Sequence, residues 1–164
     1  MEIWDLILII LFLISISISI LCLLFVLKLK NEKNKLNGLI EIFQILTNIE
    51  NREARRQTFE AFREKKIDYS GKILDLSYES SIENVRANLD LIGLMTKQGY
   101  VSKDSCLKLC CGIIIRSWKS LEKNILFERK RLGANYKEDF EWLAEEALKF
   151  WKKNYSNIPE PEIY

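Results

Sequence analysis

Residues 6–27, LILIILFLISISISILCLLFVL, contain no charge, no proline and no glycine. A helix of that length rises about 1.5 Å per residue and reaches roughly 33 Å, enough to cross the hydrocarbon core of a bilayer. The run is too long for the apolar segment of a cleaved signal peptide, and the residues ahead of it, Met1-Glu2-Ile3-Trp4-Asp5, are acidic instead of basic. No A-x-A pattern follows it. Lys28, Lys30, Lys33 and Lys35 do, and no Lys or Arg precedes it. The run reads as a retained single-pass anchor. The positive-inside bias then puts the short N-terminus 1–5 outside the cell membrane and residues 28–164 in the cytoplasm. Trp4 is placed for an interfacial ring. Within the anchor, Ser15 and Ser19 share a helix face where a neighbouring helix could pack closely. The alternative is that each hydroxyl bonds its own helix and faces lipid.

The portion after the anchor is one domain's worth of chain, large enough for a core of its own. All 25 Lys and Arg lie in it, yet the formal net charge of the chain is only +2, which does not suggest nucleic acid. The basic flank sets topology and can touch anionic lipid. Cys22 sits in the anchor; Cys106, Cys110 and Cys111 fall in one helical stretch of a reducing compartment, so disulfides are not expected. The spacing C-x3-C-C offers three ligands and the chain has no histidine, so a closed zinc site is not expected and these cysteines read as small buried hydrophobes.

Both prolines, Pro159 and Pro161, lie in the tail, and no stretch alternates as a sheet protein would. The fold class is all-α: one transmembrane helix (6–27), a juxtamembrane basic segment and helix (28–50), a cytoplasmic bundle of about four to five helices (51–153) and an extended or mobile tail (154–164). Leu36, Leu39, Phe43 and Leu46 form an apolar stripe of about two heptads, fit either for packing on the chain's own domain or for a self-association stalk. In 51–66 Phe59 and Phe62 share a side, and Arg55 and Arg56 belong to a run that is either a contact site or a solvated face. Residues 67–76 are a connection around Gly71. In 78–98 the stripe is Ile82, Val85, Leu89 and Ile92, with Gly99 as the helix stop and Ser102 as the next N-cap. Residues 106–115 read as a buried core helix. In 116–132 Trp118, Leu121, Ile125 and Leu132 point inward. Asn135 and Glu138 resemble a capping box for a last helix over 136–153, with Phe140, Leu143, Ala147 and Phe150 on one face.

Chemistry is conspicuous by its absence. Without histidine the commonest general acid–base group is missing. There is no G-x-S-x-G elbow, no phosphate loop and no dinucleotide fingerprint. Acidic pairs such as Glu145-Glu146 and Asp139-Glu141 fall on a charged amphipathic helix. No enzyme activity and no cofactor are expected.

Three stretches, REARRQTFEAFR (52–63), NLDLIGLMTKQGYVSKD (88–104) and RSWKSLEKNILFERKRLGANYKEDFEWLAEEA (116–147), resemble the domain of unknown function 4760 family of small prokaryotic membrane-anchored proteins. The resemblance covers roughly 30–150. It implies the helical architecture and no established activity. Within it Arg116, Trp118, Arg129, Phe140, Glu141 and Trp142 form a pattern with two readings. One is a buried ion pair that fixes helix register; the other is an exposed groove holding a partner segment. The candidate partner contacts are therefore Arg55, Arg56, Arg116, Trp118, Arg129, Glu141 and Trp142, and the candidate membrane-helix contacts are Ser15 and Ser19. The expected function is a membrane-anchored interaction or scaffold module working by helix-in-groove contact. An accessory subunit of a membrane complex, acting through the anchor, is the alternative. A third reading is anionic-lipid or nucleic-acid binding through 52–66. The expected partners are the bilayer and either a protein or a second copy.

Overall fold

The computed structural model describes residues 3–163, with side chains described at Trp4 and from Leu11 onward. Met1 and Glu2 of the expected outer N-terminus lie outside the described residues. Five α-helices follow in order: α1 Ile3–Thr47, α2 Ile49–Arg63, α3 Glu79–Lys97, α4 Lys103–Leu132 and α5 Glu138–Asn154. A single 3₁₀ turn, Leu76–Tyr78, precedes α3.

α1 joins the apolar run and the helix that follows it, to Thr47, without a break. The intervening 28–35 has no proline or glycine, and Lys35 pairs with Glu32 one turn back at 3.3 Å. Its 45 residues span about 68 Å at 1.5 Å per residue. It is the one helix among the described residues that is long and apolar enough to cross a membrane, and its apolar window is uncovered by the rest of the protein.

α1 ends at Thr47, earlier than the Glu50 limit the stripe suggested. Asn48 leaves the helical region, and its side chain accepts from the amides of Glu50 and Asn51 to start α2. α2 then reaches back: Asn51 Nδ2 donates to the Ile45 carbonyl at 2.9 Å and the Arg55 guanidinium donates to the Leu46 carbonyl. Two of the carbonyls orphaned at the end of α1 are satisfied in this way, which sets the angle between the two helices.

The stripe on α1 turns further than expected. Gly38, Ile42 and Leu46 are buried with Leu39 beside them, while Leu36 and Phe43 are exposed. Gly38 decides this. A Cβ there would lie 2.7 Å from the Tyr100 carbonyl oxygen and 2.7 Å from Val101 Cγ2. Only a glycine lets α1 approach the α3–α4 turn so closely. That turn is a left-handed stop at Gly99 (φ +76°). Tyr100 N–H donates to the Met95 carbonyl and Gly99 N–H to that of Thr96.

α3, α4 and α5 form the main core, with α2 laid against α3. Ile82, Val85, Leu89 and Ile92 face inward as the spacing predicts, as do Leu121, Ile125, Phe140, Leu143 and Ala147. Residues 106–115 are the buried first part of a single α4 that runs on to Leu132. Four expectations are corrected. α2 buries Ala54, Thr58 and Ala61, not its phenylalanines; Phe62 is exposed. Small residues win there because α2 lies close to its neighbours. Leu132 is exposed, at the last residue of α4. Phe150 is only half-buried. The capping box does not form: Lys137, left-handed at φ +56°, precedes α5, and Asp90 from α3 accepts from the Phe140 amide at 3.1 Å. A tertiary cap replaces the local one. The tail has no helix after Asn154 and folds back, with Trp151 Nε1 donating to the Ile158 carbonyl and Lys119 pairing with Glu160 at 3.0 Å.

At Gly93 a Cβ would lie 2.2 Å from the Asp139 carbonyl oxygen. Gly93→Ala must therefore push α3 from α5. We expect a loss of about 1–3 kcal/mol, measured by chemical unfolding of the full chain in detergent. An unchanged midpoint would show that the helices have slack.

Candidate functional site

The seven candidate contact residues do not converge. Arg56 stands exposed on α2, clamped between Glu53 at 2.6 Å and Glu60 at 3.2 Å. Its hydrogen bond holds the Glu53 carboxyl down at about 2. Arg55 belongs to the α1–α2 joint, and burial lowers its pKa, with Arg52 and Arg116 adding to the effect. Arg116 lies over the Phe59 ring at 5.9 Å and donates to the Gly112 carbonyl. Trp118 is buried edge-on against Phe140 at 5.2 Å. Trp142 is half-buried against the core. Arg129 and Glu141 do meet, at 2.8 Å, and Arg129 Nε donates to the Tyr136 carbonyl at 2.9 Å. That pair ties the end of α4 to the start of α5, as a register-fixing ion pair would. On α1, Ser19 donates to the Ser15 carbonyl and Ser17 to that of Leu13.

A buried polar network escaped the sequence reading. Arg86 on α3 is 5% exposed. It donates to Asn124 Oδ1 at 2.6 Å and to Glu83 at 2.6 Å, and lies 5.7 Å from the Tyr136 ring centre. Asn124 is fully buried and its Nδ2 donates to the Gly71 carbonyl at 2.7 Å. Tyr136 Oη donates to Glu83, and Lys137 pairs with the same carboxylate at 3.3 Å. Burial, with the Glu83 carboxylate, pushes the Tyr136 phenol up to about 12 against the pull of Arg86. One signal was available. Arg86 falls four residues after Ile82 and Asn124 three after Leu121, so both stand on apolar stripes where a polar residue needs a buried partner.

Asn124 also positions the wall of a groove. The 67–74 connection folds back on itself through an antiparallel bridge between Ile67 and Ile73. Gly71 at its tip (φ +94°) lies so close to α4 that a Cβ would fall 2.0 Å from the Lys123 carbonyl oxygen. Asp68 accepts from the Ser70 hydroxyl and from the Ser70 and Lys72 amides, which hold its carboxyl below the usual range. Between this connection, the end of α2 and α4 opens a cavity of about 530 Å³. Phe62, Ile67 and Leu74 give it apolar walls, Asp68, Glu122 and Lys119 line it as well, and Arg63, Lys65 and Lys123 complete its charged lining. None of these three cations has an ion-pair partner among the described residues. Lys65 occupies the left-handed region at φ +56°, where it closes the end of α2 through Lys66 N–H to the Ala61 carbonyl. Lys123 lies 5.4 Å from the exposed Tyr69 ring.

The cysteines form no such site. Cys110 donates to the Cys106 carbonyl at 3.1 Å in the core, and the neighbouring Cys106 sulfur together with burial raises the Cys110 thiol. No group of three or more potential ligands is gathered for a metal among the described residues.

The family model described as "Domain of unknown function (DUF4760)" matches residues 13–147. The chain belongs to the DUF4760 family. The match spans all five helices in whole or in part, from within the apolar run of α1 into α5, and takes in both the groove and the Arg86–Asn124 network of this DUF4760 chain. No curated protein and no solved structure gives a significant match.

Asn124→Leu leaves the Gly71 carbonyl and one Arg86 nitrogen unpaired, at roughly 1–3 kcal/mol for each group. Pairing it with Arg86→Met is expected to recover part of that loss in a double-mutant cycle; strictly additive losses would mean that the two side chains do not interact. Glu83 supplies a pH signature. Burial opposes its ionisation, but Arg86, Tyr136 and Lys137 outweigh that and hold the carboxyl below its ordinary value of 4.5. The unfolded chain then binds more protons than the native one as pH drops below 4.5, so the stability Glu83 supplies is present above that value and lost on the acid side. In denaturation measured at neutral pH and below 4.5, Glu83→Gln is expected to start less stable and fall less steeply. An unchanged acid slope would remove Glu83 from the account.

Proposed function

We propose that this protein is a membrane-anchored interaction module rather than an enzyme. α1 crosses the cell membrane with its N-terminus outside, and the bundle displays the groove between α2, the 67–74 connection and α4 to the cytoplasm. The occupant is a protein segment with apolar side chains and acidic flanks. One observation carries this reading: apolar walls of Phe62, Ile67 and Leu74 stand beside three cations that the bundle leaves without ion-pair partners. A groove of this kind recognises by apolar anchoring, with its edge charges steering the approach.

The reading as an accessory subunit acting through the anchor draws support from the uncovered apolar length of α1, though not from Ser19, whose hydroxyl bonds the Ser15 carbonyl of its own helix. Binding of lipid or nucleic acid through 52–66 has less behind it. Arg55 is spent on the α1–α2 joint and Arg56 on two glutamates.

A photo-crosslinking residue in place of Tyr69, which is 88% exposed, tests the groove in cells expressing the full chain. We expect a discrete adduct that Arg63→Glu with Lys123→Glu abolishes while the helical circular dichroism is kept. The adduct should survive exchange of residues 6–27 for an unrelated apolar helix. An adduct indifferent to the charge reversal would contradict the groove reading, and one lost on the anchor exchange would favour the accessory-subunit reading.

A further inference from the structure

Half of the apolar stripe on α1 has no cover. Ile42 and Leu46 face the bundle, whereas Leu36, Ile40 and Phe43 are 58%, 47% and 52% exposed. These three lie beyond Lys28, Lys30 and Lys33, where water and not lipid would surround them. A bilayer cannot bury them, and the chain's own bundle packs on another side of the helix, roughly 130° away at 3.6 residues per turn.

Their spacing of four then three residues continues toward the N-terminus through Lys33, Leu29, Val26, Cys22, Ser19 and Ser15, all exposed on the same unbroken helix. This is a 3.5-residue repeat. One core position holds Ser19, Val26, Lys33, Ile40 and Thr47; the other holds Ser15, Cys22, Leu29, Leu36 and Phe43. β-branched residues at the first position with leucine at the second favour two parallel strands, and a single Lys at the first position fixes register and strand number. Lys33 is that residue. It has no ion-pair partner among the described residues of the protomer, and Glu32 of a partner helix would flank it across the seam. A straight helix drifts about 20° per heptad from such a repeat, so two copies would wind left-handedly to keep the seam closed.

We infer that a second copy of this chain covers the stripe, forming a parallel, in-register two-stranded coiled coil of α1 that begins inside the apolar run and ends at Asn48. The inference rests on α1 spanning a membrane, because copies inserted with one orientation can pair only in parallel. Packing of the bundle on Gly38, Ile42 and Leu46 is left undisturbed.

The test uses full-length protein in its own membranes. Alkaline carbonate extraction comes first. Single cysteines are then placed in a Cys22→Ser background, at Leu29→Cys, Leu36→Cys and Phe43→Cys on the stripe and at Asn34→Cys and Glu41→Cys off it. Oxidation by dissolved oxygen with copper–phenanthroline joins thiols that meet. Cys106, Cys110 and Cys111 are buried, and the Cys22→Ser background alone reports any contribution from them. The expected result is a carbonate-resistant chain with disulfide dimers at the stripe positions, and with the native Cys22, but not at 34 or 41. Leu36→Asp with Phe43→Asp should abolish the Cys22 dimer and leave the helical circular dichroism in place, because both side chains are exposed in the protomer. Retention in the membrane with crosslinks that ignore position, or that survive the aspartates, overturns the dimer alone. Release by carbonate overturns the membrane reading and the dimer with it.

Discussion

The contact at Gly38 fixes how the rest of the molecule is held. Because that residue has no side chain, the backbone of α1 comes up against Tyr100 and Val101 at the α3–α4 turn. Ten residues further on, Asn48 breaks the helix and α2 ties itself back through Asn51 and Arg55. The bundle is thus attached to α1 at two heights along one rod. A flexible tether would let the domain sample every orientation. Two attachments on an unbroken helix do not. In the proposed topology the groove is then displayed at a set distance and angle from the membrane.

The second organising element is the Arg86–Asn124 network. A buried arginine is costly unless its donors are met; here Asn124 and Glu83 meet its two terminal nitrogens, while Nε has no partner among the described residues. Asn124 also holds the Gly71 carbonyl, so the same residue that answers the arginine seats the groove wall on α4. Core and groove therefore share a side chain.

Helix positions were legible where one strong stripe governed burial. Ile82, Val85, Leu89 and Ile92 faced inward as spacing predicts, and Gly99 ended its helix. The reading slipped where two faces competed. On α1 the apolar residues outnumber what one interface can bury, and close approach at Gly38 chose Ile42 over Phe43. On α2 the same rule favoured Ala54, Thr58 and Ala61 over two phenylalanines. Asn135 lost the capping role to Asp90, fifty residues from Phe140, which no local pattern could reveal. The groove was illegible for a similar reason. Its walls come from α2, an irregular connection and α4, brought together only by the tertiary contact at Gly71. Among the candidate contact residues, Trp118 lies buried as its stripe position predicts, and Arg129 pairs with Glu141 across the short turn between α4 and α5.

Hydrogen–deuterium exchange of the full chain in lipid nanodiscs tests the continuity of α1 most directly. An unbroken rod predicts slow amide exchange without a gap across 28–47, with the first fast positions at the Asn48 joint. Rapid exchange through 28–35 alongside a protected 36–47 would mean that the bundle hangs from a flexible tether, and the account of a fixed groove would fail.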